Sequence, residues 1–146
     1  MYRPAGFWIR LGGNLLDGLI IGIPLGIIFA GFLGLSKQAS DSWVSILEML
    51  YGIIVPVLWS GYVIGKRIVG IRIVKINGSN VHFGTMILRV FVGGIIYTIT
   101  LGIGLIVSAF MVGLRADKRS IHDLIAGTYV TYAPPHEIDE DKKVYF

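Results

Sequence analysis

The sequence predicts a membrane all-α fold: three to four transmembrane segments, the third apolar region forming either one span or a broken or re-entrant helix pair, with a small cytoplasmic β-hairpin. Three observations predict it. The 146 residues are 54% apolar and 15% charged, with mean hydropathy +0.73, whereas about 25% charged is usual for a soluble domain. Three apolar stretches, residues 7–35, 43–64 and 84–114, each reach the roughly 20 residues that a helix needs to cross the hydrocarbon core. The loop between the second and third carries Lys66, Arg67, Arg72 and Lys75 and no acid, which places it on the cytoplasmic side by the positive-inside rule. One membrane unit is expected over residues 6–133, with a mobile tail at 134–146. The first apolar run is far longer than the core of a signal peptide and lacks a basic segment before it, so it is read as an uncleaved span.

Arg10, Asn14 and Asp17 fall in the first three turns of that span. Arg10 and Asp17 are seven residues apart, so on a helix they lie within about 20° of one another and about 10 Å apart along the axis, with Asn14 between them. An ionised side chain at the centre of a span costs about 2.5–3.5 kcal/mol on insertion scales, so such residues face protein or water. Arg10 can snorkel to the headgroups from the helix start, whereas Asp17 is too short to do so. Beside this polar line Gly18, Gly22 and Gly26 recur every four residues, a ridge of small residues on which another helix can pack closely.

A polar loop at residues 35–42 offers Asp41 or Ser42 as a cap for the second span. Within residues 43–64, Trp43 and Trp59 suit opposite interfacial belts, and Pro56 removes a backbone donor and should kink the helix. Glu48 lies about one and a half turns in, either an ion ligand or an acid hydrated at the interface. Residues 65–83 alternate in part between apolar and polar types and contain Asn77-Gly78, a two-residue hairpin signal. The basic loop could also rest on anionic lipid, at about 1 kcal/mol per Lys or Arg; nucleic acid is not an expected partner of a loop pinned to a bilayer.

The third region, residues 84–114, is interrupted by Arg89. With the charge-poor loop at 35–42 outside and the basic loop inside, the N-terminus is cytoplasmic. A straight third span would put Arg115, Lys118 and Arg119 outside, against the rule. A bend near Gly93, Gly94 or residues 100–104 would return the chain to the cytoplasm, and broken helices are allowed at membrane depth where protein or a wet cavity covers them. Beyond residue 115 the sequence predicts a polar turn, a short helix around residues 120–126 and a strand at 128–132, able to join the hairpin if both lie on one side. The chain has no cysteine, and His82, His122 and His136 show no zinc-ligand spacing. His122-Asp123 lacks a nucleophile at motif spacing. Neither a metal nor a cofactor is expected, and the chain is not expected to be an enzyme.

Three stretches taken together, FWIRLGGNLLDGLI, GKRIVGIRIVKINGSNVHFGTMILRVF and ADKRSIHDLIAGTYV, resemble the RDD family of small multi-spanning membrane proteins over residues 6–130. Each pattern is loose alone and specific in combination. The family is named for an arginine and two aspartates. The arginine and the first aspartate fall on Arg10 and Asp17, and the second falls on Asp123, in HDLIAGT, or on Asp117, in a D-x-R stretch that also matches.

The resemblance implies a membrane module linked to transport, with sodium–proton exchange proposed for some members. Two readings follow. In the first, Arg10, Asn14, Asp17, Glu48 and Arg89 form an intramembrane cluster that passes a monovalent cation, a proton or a small charged solute through the plasma (inner) membrane. Asp17 then exchanges proton for cation, and the small chain works as a homo-oligomer or with a membrane partner. In the second, Arg10 and Asp17 are a structural pair in an accessory or assembly module, which docks a partner through the hairpin and the HDLIAGT segment.

Overall fold

A computed structural model describes residues 3–132. The tail expected at 134–146, the domain edge at 133 and His136 lie outside them. The first helix, α1, runs continuously over Phe7–Phe32, with five- and six-residue stretches of i→i−5 hydrogen bonding at Gly18–Gly22 and Ile27–Phe32. Such widened turns interrupt the usual ladder without ending the helix. Gly34, at φ +64°, turns the chain into α2, Lys37–Leu58. The cap of α2 is Ser36, whose Oγ accepts from the Ala39 N–H at 3.3 Å, and not Asp41 or Ser42. Those two lie within the helix, where Asp41 pairs with Lys37 at 2.8 Å and the Ser42 hydroxyl donates to the Gln38 carbonyl. The helix therefore starts earlier than the apolar pattern implies. It also runs through Pro56 and ends at Leu58, short of residue 64, because Ser60 and Gly61 take positive φ and reverse the chain. At Gly61 a side chain would run into the backbone carbonyl of Ile73.

Next come a short helix, α3 (Ile64–Val69), and strand β1 (Arg72–Lys75). The Asn77-Gly78 turn forms, with Lys75 N–H donating to the Ser79 carbonyl and Asn77 Oδ1 accepting from Ser79 N–H at 2.9 Å. No hairpin follows it. The partner of β1 is β2 (Thr128–Thr131), antiparallel, with Arg72 opposite Thr131 and Lys75 opposite Thr128. Strand β2 is buried along its whole length and β1 along all but its last residue. The expected second arm instead begins with Ser79 and Asn80, which favour water. The far edge of β2 is covered by the N-terminal segment, where Ala5 N–H donates to the Val130 carbonyl at 2.7 Å and Pro4 bridges Thr131. This leaves neither edge of β2 open.

The third apolar region folds as α4 (Phe83–Ile99) and α5 (Ile103–Leu114), bent by 120° at the break. Of the candidate bends, the structure uses residues 100–102. Leu101 and Gly102 take φ of 54° and 85°, while Thr100 Oγ1 donates to the Ile96 carbonyl and accepts from Gly104 N–H. Helix α6 (Ile121–Ala126) then leads into β2.

Helices α1 and α2 are each long and apolar enough to cross a membrane, and the α4–α5 pair passes the same test jointly. None of the most apolar stretch of α1 is buried within the chain, and Phe32, Leu101 and Leu114 are more than 80% exposed. Such continuous apolar surface has its match in lipid. The packed core lies at the other end, where Ala5, Ile71, Ile73, Val81, Met86 and Val130 cluster around the sheet. There the N-terminal segment, the basic loop and the α6–β2 segment meet on one side of the helices.

Candidate functional site

The residues singled out in the sequence fall into two separate polar sites. In the first, the Asp123 carboxylate is wholly buried. Arg10 Nη1 donates to its Oδ2 at 2.6 Å, and Arg89 Nη1 donates to its Oδ1. Ser120 adds its backbone N–H at 3.0 Å and its hydroxyl at 2.9 Å. The spacing Ser120-x-x-Asp123 is a capping box, each side chain holding the other's backbone at the start of α6. The guanidiniums are held further: Arg10 Nε donates to the Ala5 carbonyl, Arg10 Nη2 to the Lys118 carbonyl, and Arg89 Nη1 also to Thr128 Oγ1. Arg119 covers the Thr128 and Asp123 carbonyls. Among the described residues no buried side-chain nitrogen or oxygen lacks a partner. Burial raises the carboxyl's proton affinity, but Arg89 and Arg10 outweigh it and hold Asp123 well below the ordinary carboxylate range. The site is closed, and its two arginines favour the charged carboxylate.

His122 extends this site towards the helix pair. Its Nδ1 lies 2.5 Å from the Tyr97 hydroxyl, which lies 2.8 Å from Ser108 Oγ, and that oxygen accepts from Ile121 N–H at 3.1 Å. α4, α5 and α6 are thus stitched together by one chain of hydrogen bonds. Gly93 permits the approach, since a side chain there would meet the His122 Cβ at 2.9 Å. Burial, reinforced by Arg89, lowers the His122 pKa to about 3, so the ring is neutral near pH 7.

The second site is open. A cleft of about 310 Å³ between α1, α2 and α3 is lined by Asn14, Asp17, Glu48, Tyr51 and Lys66, with Gly18, Ile21 and Pro56 among its apolar walls. Asp17 Oδ1 accepts from the Tyr51 hydroxyl at 2.9 Å and from Gly65 N–H at 2.8 Å, and Tyr51 in turn accepts from Ile64 N–H. These are neutral donors. Asp17 Oδ2 and both oxygens of Glu48 have no hydrogen-bond partner among the described residues. Lys66 Nζ donates to Asn14 Oδ1 at 3.0 Å. Asp17 stands ten residues from the start of α1 and Glu48 ten from the end of α2, so both lie about 15 Å along antiparallel helices. The close fit of α3 on α1 depends on Gly65, where a side chain would strike the Gly13 carbonyl and the Asp17 backbone. A wider depression of about 600 Å³ along Lys37, Gln38, Asp41, Ser42 and Ser45 is the outer surface of one helix and carries no comparable grouping.

The expected single cluster is therefore corrected to two. Arg10 and Arg89 meet, but on Asp123, while Asn14, Asp17 and Glu48 share the cleft. Arg10 and Asp17 do not pair, because Arg10 sits in the first turn of α1, beside the sheet, and Asp17 is held two turns further on by α2 and α3. Asp117 is bound by Arg115 at 2.8 Å near the surface. The hydrogen bond from Arg115 lowers its pKa to about 2. Of the glycine ridge, Gly18 and Gly26 have open space where a side chain would stand, and a side chain at Gly22 would meet the Glu48 carboxylate at 2.6 Å. Within the chain the ridge therefore packs no helix backbone. Lys66, Tyr51 and Gly65 were not legible as site residues, since Lys66 reads as one more charge of a basic loop. Ser120 was a signal, three residues ahead of Asp123 in the capping pattern.

Comparison with known proteins finds relatives that match nearly the whole chain. Over 147 residues, 99% of this chain and 96% of the relative, the sequence is 52% identical to the uncharacterized protein YckC of Bacillus subtilis (strain 168). It is 30% identical to the uncharacterized protein YxaI of the same organism over 159 residues, 90% of this chain and 99% of that one. No solved structure matches. The RDD family model matches residues 4–127, and the chain belongs to the RDD family.

Proposed function

We propose that this chain is a multi-pass protein of the plasma membrane, with its N-terminus cytoplasmic, that passes a monovalent cation or a proton through the cleft between α1 and α2. The observation that carries the reading is the pairing of two carboxylates, Asp17 and Glu48, at matching depth in an open cleft, beside the amide oxygen of Asn14. Carboxylate and amide oxygens are ligands for hard cations, and ion paths and proton relays are among the roles of ionisable groups at membrane depth. Asp17 serves as the exchanging carboxylate. Because α5 is about 18 Å long against a hydrocarbon thickness of about 30 Å, the α4–α5 pair enters and leaves on the same side. This brings β2 back to β1 and keeps Arg115, Lys118 and Arg119 cytoplasmic. Gly18 and Gly26, unpacked within the chain, leave α1 free to meet a second copy or a membrane partner.

The docking alternative has less support. β1, Asp123 and β2 are buried within the chain, so a partner would meet only the turn at residues 76–80 and the face of α6 that carries Leu124. Proteoliposomes holding the purified chain test the transport reading: a pH gradient should drive Na⁺ or K⁺ uptake above that of empty vesicles. Equal uptake with and without protein would overturn it.

A further inference from the structure

Where α2 ends and the chain reverses into α3, a cation is set out without an acid. Arg67, exposed on α3, lays its guanidinium over the Tyr62 ring, 4.9 Å from the centroid, and the Trp59 ring stands 5.9 Å from that of Tyr62. The guanidinium donors of Arg67 meet no acceptor among the described residues. Tyr62 is only 5% exposed, yet its hydroxyl also has no hydrogen-bond partner there. Since no buried side-chain oxygen among those residues lacks a partner, the Tyr62 hydroxyl reaches the surface. We propose that Arg67 and the Tyr62 hydroxyl bind the phosphate of an anionic phospholipid. The inference needs the membrane but not the cation cleft.

The depth of α3 suits a lipid headgroup. Gly65 packs against the Gly13 carbonyl and the Asp17 backbone, and Lys66 and Val69 pack against Gly13, so α3 lies along residues 13–17 of α1. The 26 residues of α1 span about 39 Å against a hydrocarbon thickness of about 30 Å. With Phe32 at the far edge of the hydrocarbon, Gly13 and α3 stand where acyl chains give way to headgroups. Leu58, 75% exposed, Ile68, 61% exposed, and Trp59 offer apolar surface to the chains, while Arg67 meets the phosphate. Its planar fork matches two phosphate oxygens, and the ring beneath holds it in place. Asp123 is already held by Arg10 and Arg89, and Asp117 by Arg115. Arg67, Lys75 and Lys118 therefore have no acid at ion-pair distance among the described residues, and their charge favours an anionic over a zwitterionic lipid. A free phosphate offers the same oxygens but no acyl chain for Leu58, Trp59 and Ile68.

The test uses Trp59 as its reporter. Trp8→Phe and Trp43→Phe leave it the sole tryptophan of the full chain, which is reconstituted in vesicles of brominated and plain phospholipids so that quenching reads lipid preference beside Tyr62. Phosphatidylglycerol should bind there about fivefold more tightly than phosphatidylcholine. Arg67→Gln should abolish the preference, and Tyr62→Phe, which keeps the ring under Arg67 and removes the hydroxyl, should reduce it. A chain with Trp43 alone, at the opposite end of α2, should show none. Inorganic phosphate, compared with chloride at equal ionic strength, should leave the preference unchanged; its loss would give the site to free phosphate and overturn the lipid. An undiminished preference in Arg67→Gln, or an equal one at Trp43, overturns the site. Equal affinity for both lipids with Arg67 in place overturns it even if the Arg67 variant does not fold. None of these readouts depends on cation flux.

Discussion

Asp123 and Asp17 both lie in stretches that resemble the RDD family, yet their surroundings differ in every respect that matters to chemistry. Asp123 is wholly buried and held by two guanidiniums, a hydroxyl and a backbone N–H. Asp17 is half-buried at a cleft and is held through one oxygen by a phenol and a backbone N–H. A carboxylate fixed between two cations has no reason to release its charge, and a bare cation cannot displace two arginines from it. A carboxylate held by neutral donors keeps a free oxygen and its attraction for a cation. The comparison teaches that one acid fastens the N-terminal segment, α4 and α6 together, while the other keeps an oxygen open to the cleft, as the proposed exchange requires.

The largest effect that sharpens this contrast is on stability. Asp123→Asn leaves Arg10 and Arg89 buried without a counter-charge and should cost about 3–5 kcal/mol, seen as a steep fall in melting temperature in detergent. A loss within about 1 kcal/mol would mean that water reaches the cluster and that the contrast with Asp17 is overdrawn. Gly65→Ala should come next, at about 1–3 kcal/mol, because its methyl group must push α3 away from the Gly13 carbonyl. Chemical denaturation of the purified variant would show it, and an unchanged midpoint would place α3 further from α1.

pH gives a smaller signature. The folded pKa of His122, about 3, is below its ordinary value of 6.5, so below pH 6.5 the unfolded chain binds a proton that the folded chain does not. Stability from this group is therefore full above pH 6.5 and declines as pH falls towards about 3. His122→Gln should flatten melting temperature over that window, and a slope unaltered by the substitution would show that the ring titrates alike in the folded and unfolded chain. Asp117→Asn should change least, since its pair with Arg115 lies near the surface. A melting temperature shifted as far as that of Asp123→Asn would make Asp117 the structural aspartate instead.

Much of the architecture was legible because hydropathy and charge are local properties of the sequence. They placed the apolar segments, and the need to keep Arg115, Lys118 and Arg119 with the basic loop anticipated the bend that the structure puts at residues 100–102. Capping of α2 by Ser36 and not Asp41 or Ser42 was lost because several good capping residues stand within seven positions. The strand partner was misplaced for a similar reason. Asn77-Gly78 encodes a turn, but the pairing of β1 depends on the buried face of β2, more than fifty residues away. Helical geometry aligned Arg10 with Asp17 correctly along α1, yet it could not say that Asp123 and Arg89 arrive at one and Tyr51 and Gly65 at the other. Membership of a cleft is a property of three helices, and no single segment carries it.

The division of labour between the two acids is tested most directly by Asp17→Asn, measured for melting temperature and for pH-driven cation flux in proteoliposomes. The neutral amide can keep the bonds from Tyr51 and Gly65, so the account predicts a melting temperature close to the wild type's with flux reduced to that of empty vesicles. A stable Asp17→Asn protein with full flux would contradict it.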